Sequence, residues 1–406
     1  MAHRNDYEYI VIGLGALGSA AAYWLSRRSG ARVLGLEQYE IGHDKGASED
    51  HSRIIRLTYH TPQYVALAHH AFSAWRDLEE ESSESLLRVT GDLLLGPRQS
   101  VMPVDDYVAS LAAAGTPFDL LDAAEIMYRW PQFRLEDDIH GSFQAEGGIV
   151  AARKGVLAHA RLARANGATL RENVPVIAIT PREDGVEVVT SEETYRARRL
   201  VVAADAWTNT LLAPLGIRLP LTLMEEQVSY FATPHLDEFQ PDRFPVWIWA
   251  DEPNFYGIPV YGETAGVKAA QDMAGREMTL ETRSFTADPA TLQRVAAFLQ
   301  RTIPRAHGPI LYSKTCVSTL TPDRDFVVDT IPDYPQIILA LGAGHGYKFA
   351  GLIGHILSDL AIDSSTTYDI APFSLRRPAL QNPDPPKNFL LRRQAPAGSM
   401  PSIRGV

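Results

Sequence analysis

Apolar residues crowd residues 7–12 (YEYIVI) and predict a short, largely buried strand. The chain then turns through Gly13-Leu14-Gly15-Ala16-Leu17-Gly18 into an Ala-rich helix predicted over 19–28. Val33, Leu34 and Leu36 mark a second strand over 32–37, which closes on Glu37. Strand, glycine turn, helix and strand within about 30 residues is the pattern of a βαβ unit. Further along, the pattern predicts a helix over 158–166, a strand over 169–179, and a hairpin of 185–189 with 195–203. A buried strand over 337–341 enters a second glycine turn, Gly342-Ala343-Gly344-His345-Gly346, before a helix over 349–362. The aromatic-rich stretches 228–231 and 244–260, with Trp247, Trp249, Phe255 and Tyr256, alternate as an antiparallel sheet does. Beyond residue 380 no period persists. Pro383, Pro385, Pro386, Pro396 and Pro401 with Lys387, Arg392, Arg393 and Arg404 read as a surface-wrapping or disordered tail whose charges face solvent.

The glycine turn carries the first chemical inference. Gly13 permits the tight turn, Gly15 lets a pyrophosphate approach the backbone, and Gly18 lets the helix pack closely on the strand. The helix N-terminus offers N–H groups and a partial positive charge to phosphate. Glu37 is placed to accept from a ribose hydroxyl, which favours FAD or NAD over NADP. The expected architecture is α/β in two parts (α+β, two-domain): a Rossmann-type FAD-binding domain from 1–88, 147–220 and 320–380, and an antiparallel-sheet substrate domain from 89–146 and 221–319. Residues 381–406 form the tail.

Composition narrows the partners. The 406 residues are 45% apolar and 21% charged, with net charge −11 and pI near 5.6. That balance opposes binding to nucleic acid or an anionic membrane, which would need a basic surface. No run of about 18 apolar residues is present, and residues 1–6 are too short and polar for a leader, so a cytoplasmic protein is expected. The lone Cys316 excludes an intramolecular disulfide and by itself reads as a small buried hydrophobe. No metal is expected: His-Glu-x-x-His and paired cysteines are absent, and His69 and His70 diverge by about 100° on a helix. Nor is there a Gly-x-Ser-x-Gly elbow.

Several separated segments stand out together: residues 46–56 (GASEDHSRIIR), Tyr256-Gly257 with Gly266-Val267-Lys268, residues 316–329 (CVSTLTPDRDFVVD), residues 342–349 (GAGHGYKF) and residues 373–380 (FSLRRPAL). In content and order they resemble the monomeric sarcosine oxidase family, flavin-dependent oxidases of N-methyl amino acids. The resemblance spans roughly residues 7–380. It implies an FAD joined through sulfur at its 8α carbon to Cys316, and it makes Lys268 the cation that activates dioxygen. It places Arg53 against the flavin ring, and Arg56 and Lys348 on the substrate carboxylate with Tyr256 beside them. Ser48, Val174, Trp207, Gly344, Gly346 and Lys348 join Gly13, Gly15, Gly18 and Glu37 around the cofactor. The implied reaction transfers hydride from a secondary amine to flavin N5, leaving an imine, and reduces O2 to H2O2; the implied assembly is a monomer.

Departures from the family are informative. Glu49 and Asp272 stand where sarcosine oxidases carry histidines, Ser318 stands for a tyrosine, and Asp205 stands for a glycine before Ala206-Trp207. Two carboxylates in the cavity either pair with local Arg and Lys or favour a substrate with a further cation or donor; both are candidate catalytic groups. Loss of the tyrosine removes bulk, so a larger or more basic secondary amino acid than sarcosine is expected. An Amadori-type deglycating oxidase, a flavin dehydrogenase, and a catalytically impaired flavin-binding subunit remain as alternatives.

Overall fold

In a computed structural model that describes residues 5–30 and 32–392, the chain forms two large sheets and one small one, with helices packed on them. Expectations for Arg393, Pro396, Pro401 and Arg404 lie outside the described residues. Five strands of the first sheet run parallel, in the order Thr169–Arg171, Val33–Leu36, Asp6–Ile12, Thr194–Val202 and Tyr334–Leu341. Ile12 lies opposite both Leu36 and Val202, and Val202 opposite Leu339, so the carboxyl ends of these strands are aligned. The turns that follow them therefore gather at one edge, where open α/β sheets bind ligands.

Alternation along the strands explains the layering. Ile10, Leu34, Val202 and Leu339 face one apolar cluster; Val11, Val33, Val201 and Ile338 face the other, shared with helices Ala16–Ser29, Ala152–Ala165 and Ala350–Ile362. The strand expected over 169–179 is two. Thr169–Arg171 joins the parallel sheet, while Val176–Arg182 pairs antiparallel with Gly185–Thr190. Between them Asn173 takes φ +60° and Pro175 has no N–H to give, which breaks any continuous ladder.

The second sheet has nine strands. Its long member Thr222–Phe231 pairs antiparallel with Ile310–Leu320 on one side and with Val267–Gln271 and Arg276–Met278 on the other. The sheet is not purely antiparallel as expected: Val246–Trp249 runs parallel to Asp92–Pro97. A three-stranded sheet of Ser52–Ile55, Gly148–Ala151 and Leu87–Val89 bridges the two and brings Arg53, with Arg56 just beyond, to the space between them. The expected two-part α/β architecture is thus present.

Candidate active site

One cavity of about 430 Å³ runs from the edge of the parallel sheet to the face of the antiparallel one. Its first end is backbone. Gly13 sits at φ +84°, and a Cβ on Gly18 would lie 1.7 Å from the Gly13 carbonyl oxygen, so this turn closes only with glycine at both positions. The helix Ala16–Ser29 begins three residues earlier than its apolar pattern suggested, capped by Gly15 in extended conformation without any side-chain acceptor of its own. Ser48 supplies one instead: its Oγ accepts from the Ala16 N–H at 2.9 Å. Buried Glu37 accepts from the N–H groups of Leu14 (2.8 Å) and Tyr39 (3.1 Å), and a carboxylate has lone pairs left for a ribose. Val174 and Trp207 line the same end, the Val174 N–H donating to the Glu37 carbonyl. Asp205, at φ +44°, uses the left-handed conformation that glycine favours, and burial pushes its carboxyl up to about 6.

Midway stands Cys316, on Ile310–Leu320 and directly opposite Glu226 on Thr222–Phe231. Burial pushes its thiol up to about 12; Arg53 acts against that shift, and Glu49 and Glu226 add to it. The second glycine turn reaches the cavity with Gly344 (φ +77°), Gly346 and Lys348.

The far end is a set of charged side chains. Lys268 Nζ contacts Asp50 Oδ2 at 2.5 Å and donates to the Ser52 carbonyl at 3.0 Å, with both charged side chains only 3% exposed. Tyr230 Oη also donates to Asp50. Burial lowers the Lys268 pKa while Asp50 opposes the shift; against burial, Lys268 and Arg53 hold the Asp50 carboxyl well below its usual range. Arg53 donates to the carbonyls of Ser52 and Ala47 and lies 3.9 Å from Asp50. Three cationic and anionic groups therefore sum locally to one positive charge.

Arg56 is buried with its guanidinium 4.8 Å from the Tyr59 ring centroid, and its Nη1 has no hydrogen-bond partner among the described residues. An orphaned buried donor beside a cavity fits an anionic ligand atom. Lys348 lines the same end; burial, with Arg56 and Arg324 beside it, lowers its ammonium to about 7. Tyr256 also faces the cavity. Asp272 does not stand free as a candidate acid or base: Arg324 forks it, Nη1 to Oδ2 at 2.8 Å and Nη2 to Oδ1 at 3.0 Å. Glu49 makes no hydrogen bond or ion pair among the described residues, and burial raises its pKa.

Residues 8–360 match the family described as FAD dependent oxidoreductase. The chain belongs to that family. The FAD-dependent oxidoreductases most similar to it include the monomeric sarcosine oxidase of Streptomyces avermitilis, 36% identical over 91% of this chain and 97% of that one. The N-methyl-L-tryptophan oxidase of Salmonella heidelberg is 29% identical over 91% and 99%. Among solved structures, NikD, an amino acid oxidase essential for nikkomycin biosynthesis, superposes with a TM-score of 0.81 at 29% identity, covering 91% of this chain and 97% of its own. The glycine turn, with no room for a Cβ at Gly18 and an acceptor at Glu37, fits the FAD of this family.

Every residue expected at the site from sequence lines this cavity except Gly18, which shapes the turn behind it; of the quoted motifs, Gly257 and Val267 lie in strands beside it and none of residues 373–380 reaches it. Asp50, Glu226 and Arg324 were missed. Glu226 is buried, accepts from the Gly275 N–H at 3.3 Å, and is pushed up to about 7 by burial and by Asp272. Arg324 and Asp50 lie inside the quoted motifs, but their partners are 52 and 218 residues away, so no local spacing could reveal the pairs.

Proposed function

We propose that the chain is an FAD-dependent oxidase of a secondary amino acid, N-alkylated or cyclic, acting on the CH–NH bond and passing electrons to O2. The observation that carries this reading is the unpartnered Nη1 of buried Arg56, with Lys348, in the same cavity as the glycine turn. Bound FAD supplies the two-electron acceptor for the amine's hydride and the route of those electrons to dioxygen. Gly13, Gly15, Ser48 and Glu37 hold its nucleotide half, Val174, Trp207, Gly344 and Gly346 flank it, and Cys316 is the point of covalent attachment. Residues 1–88, 147–220 and 320–380 serve as the cofactor domain in this division of labour.

Arg56 and Lys348 take the substrate carboxylate, one by a planar fork and one as a point charge. That leaves the amine and its α-carbon in the stretch bounded by Tyr256 and Arg53. Lys268 and Arg53, only half neutralised by Asp50, favour negative charge developing on dioxygen. Asp272 is spent on Arg324, so the carboxyls able to meet a further donor or cation of the substrate are Glu49 and Glu226. The protein works as a monomer in the cytoplasm and releases hydrogen peroxide and an imine that hydrolyses in water. No helix among the described residues is long and apolar enough to cross a membrane.

Anaerobic mixing of the holoprotein with N-methyl, cyclic and glycated amino acids tests the reading. Bleaching of the flavin by at least one secondary amino acid is expected, together with weak or no bleaching by the matching amine without a carboxylate, and peroxide on admitting air. A flavin that stays oxidised across the panel contradicts it.

A further inference from the structure

The segment after the last short helix, Pro378–Gln381, has no regular structure, yet it is tied down at successive residues. The Asn388 N–H donates to the Pro322 carbonyl at 2.7 Å, Arg324 Nη1 donates to the Phe389 carbonyl at 2.7 Å, and Tyr107 Oη donates to the Leu391 carbonyl. Leu391 is only 7% exposed and joins an apolar cluster with Ile54, Met102, Tyr107, Ile248 and Ile258. It also lines the large cavity, and its neighbour Leu390 lines a smaller one with Asp272 and Arg324.

The position of this strap in the cavity follows from its anchors. Tyr107 is close enough to Arg56 to act on its charge, and Arg324 is close enough to Lys348 to lower its pKa. Two of the strap's anchors, Tyr107 on the Leu391 carbonyl and Arg324 on the Phe389 carbonyl, are therefore groups beside the candidate carboxylate-binding pair, far in sequence from the glycine turn. Arg324 holds the strap with the same Nη1 that holds Asp272. A guanidinium shared between a cavity-facing carboxylate and a backbone carbonyl fixes the strap relative to the substrate, because moving either breaks a charge-assisted bond.

We propose that Leu391, delivered by the strap of residues 388–392 and latched by Arg324, is the specificity-determining wall of the substrate cavity and limits the bulk of the amino acid accepted there. The proposal rests on the amine-oxidation reading above. A side chain that fills one end of an apolar cavity discriminates by volume, and a methylene there is worth about tenfold or more in selectivity. Leu391→Ala enlarges the cavity; Leu391→Trp fills it.

The test uses the holoprotein and two measurements. The first is the anaerobic rate of flavin reduction by a small and a bulky secondary amino acid. Leu391→Ala raises the bulky-to-small ratio of the second-order rate constant for flavin reduction about tenfold, and Leu391→Trp lowers it by a similar factor. The second is the perturbation of the flavin spectrum on titration with carboxylates of increasing size, which needs no turnover. Leu391→Ala tightens the larger carboxylates relative to acetate. Leu391→Met, nearly equal in volume, leaves both readouts near the parent, and a parental flavin content in each variant shows that it is folded. Unchanged ratios in Leu391→Ala and Leu391→Trp, with a parent still reduced by the small amino acid, overturn the wall and leave the amine-oxidation reading standing. A parent reduced by no amino acid overturns that reading, while the carboxylate titration still decides for or against the wall.

Discussion

At the nucleotide end of the cavity the groups that set its shape are backbone, contributed by one turn of six residues; at the substrate end they are side chains gathered from stretches near residues 50, 226, 268, 324 and 348. The first end tolerates no added atom, because a Cβ on Gly18 meets a carbonyl oxygen. At the second, an exchanged side chain can be met by a partner: Asp272, where the sarcosine oxidase resemblance expects a histidine, is forked by Arg324. Rigid backbone geometry preserves cofactor binding, and compensated side-chain pairs leave room for the substrate to change.

The sharpest way to break this comparison is at the turn. Gly18→Ala is expected to abolish flavin uptake, with visible absorbance per chain falling to near zero, since the turn cannot move without displacing the strand Asp6–Ile12. Normal flavin content in that variant would remove the distinction between the two ends.

Lys268→Met probes the other end. It takes away the nearest cation of buried Asp50, leaving it the Tyr230 hydroxyl and Arg53 at 3.9 Å, and is expected to destabilise the fold by up to about 3–5 kcal/mol in thermal or denaturant unfolding. Adding Asp50→Asn recovers most of that loss, while reoxidation of the reduced flavin by air stays slow in both variants. Recovery of reoxidation in the double variant would mean that charge balance, and not the cation, serves the oxygen step.

A smaller effect is expected from pH. The Lys348 ammonium, lowered to about 7, is present below that pH and lost above it. KM for a carboxylate-bearing substrate is therefore expected to rise as pH climbs through 7, by up to about tenfold per unit, with kcat changing less. Lys348→Arg stays charged and flattens the profile. A KM that falls over the same range contradicts the carboxylate role.

The contrast also explains what the sequence revealed. The glycine spacing, the strand before it and Glu37 after it lie within about 30 residues of one another, and the physics of each is local. Cys316, Lys268, Arg56 and Lys348 were found through family likeness, because nothing near an isolated lysine or cysteine marks its partner. Asp50 was passed over beside Glu49 since its pairing with Lys268 depends on how two sheets meet. The strand expected over 169–179 failed at Asn173 and Pro175, where backbone constraints outweigh the apolar pattern. The strap at 388–392 lies in the stretch expected to be a surface-wrapping or disordered tail with solvent-facing charges; its anchors are backbone groups, whose partners leave no signature in the residue that carries them. Lys387 does lie at the surface, paired with Glu277 at 2.8 Å.

One FAD is proposed to span both ends, its nucleotide on the glycine turn and its ring at Cys316. Mass analysis of the peptide containing Cys316, from acid-denatured and digested holoprotein, decides this. The peptide is expected to be heavier by one flavin dinucleotide and yellow, with Cys316→Ser releasing its flavin on denaturation. An unmodified Cys316 peptide, with all flavin free in the supernatant, contradicts it.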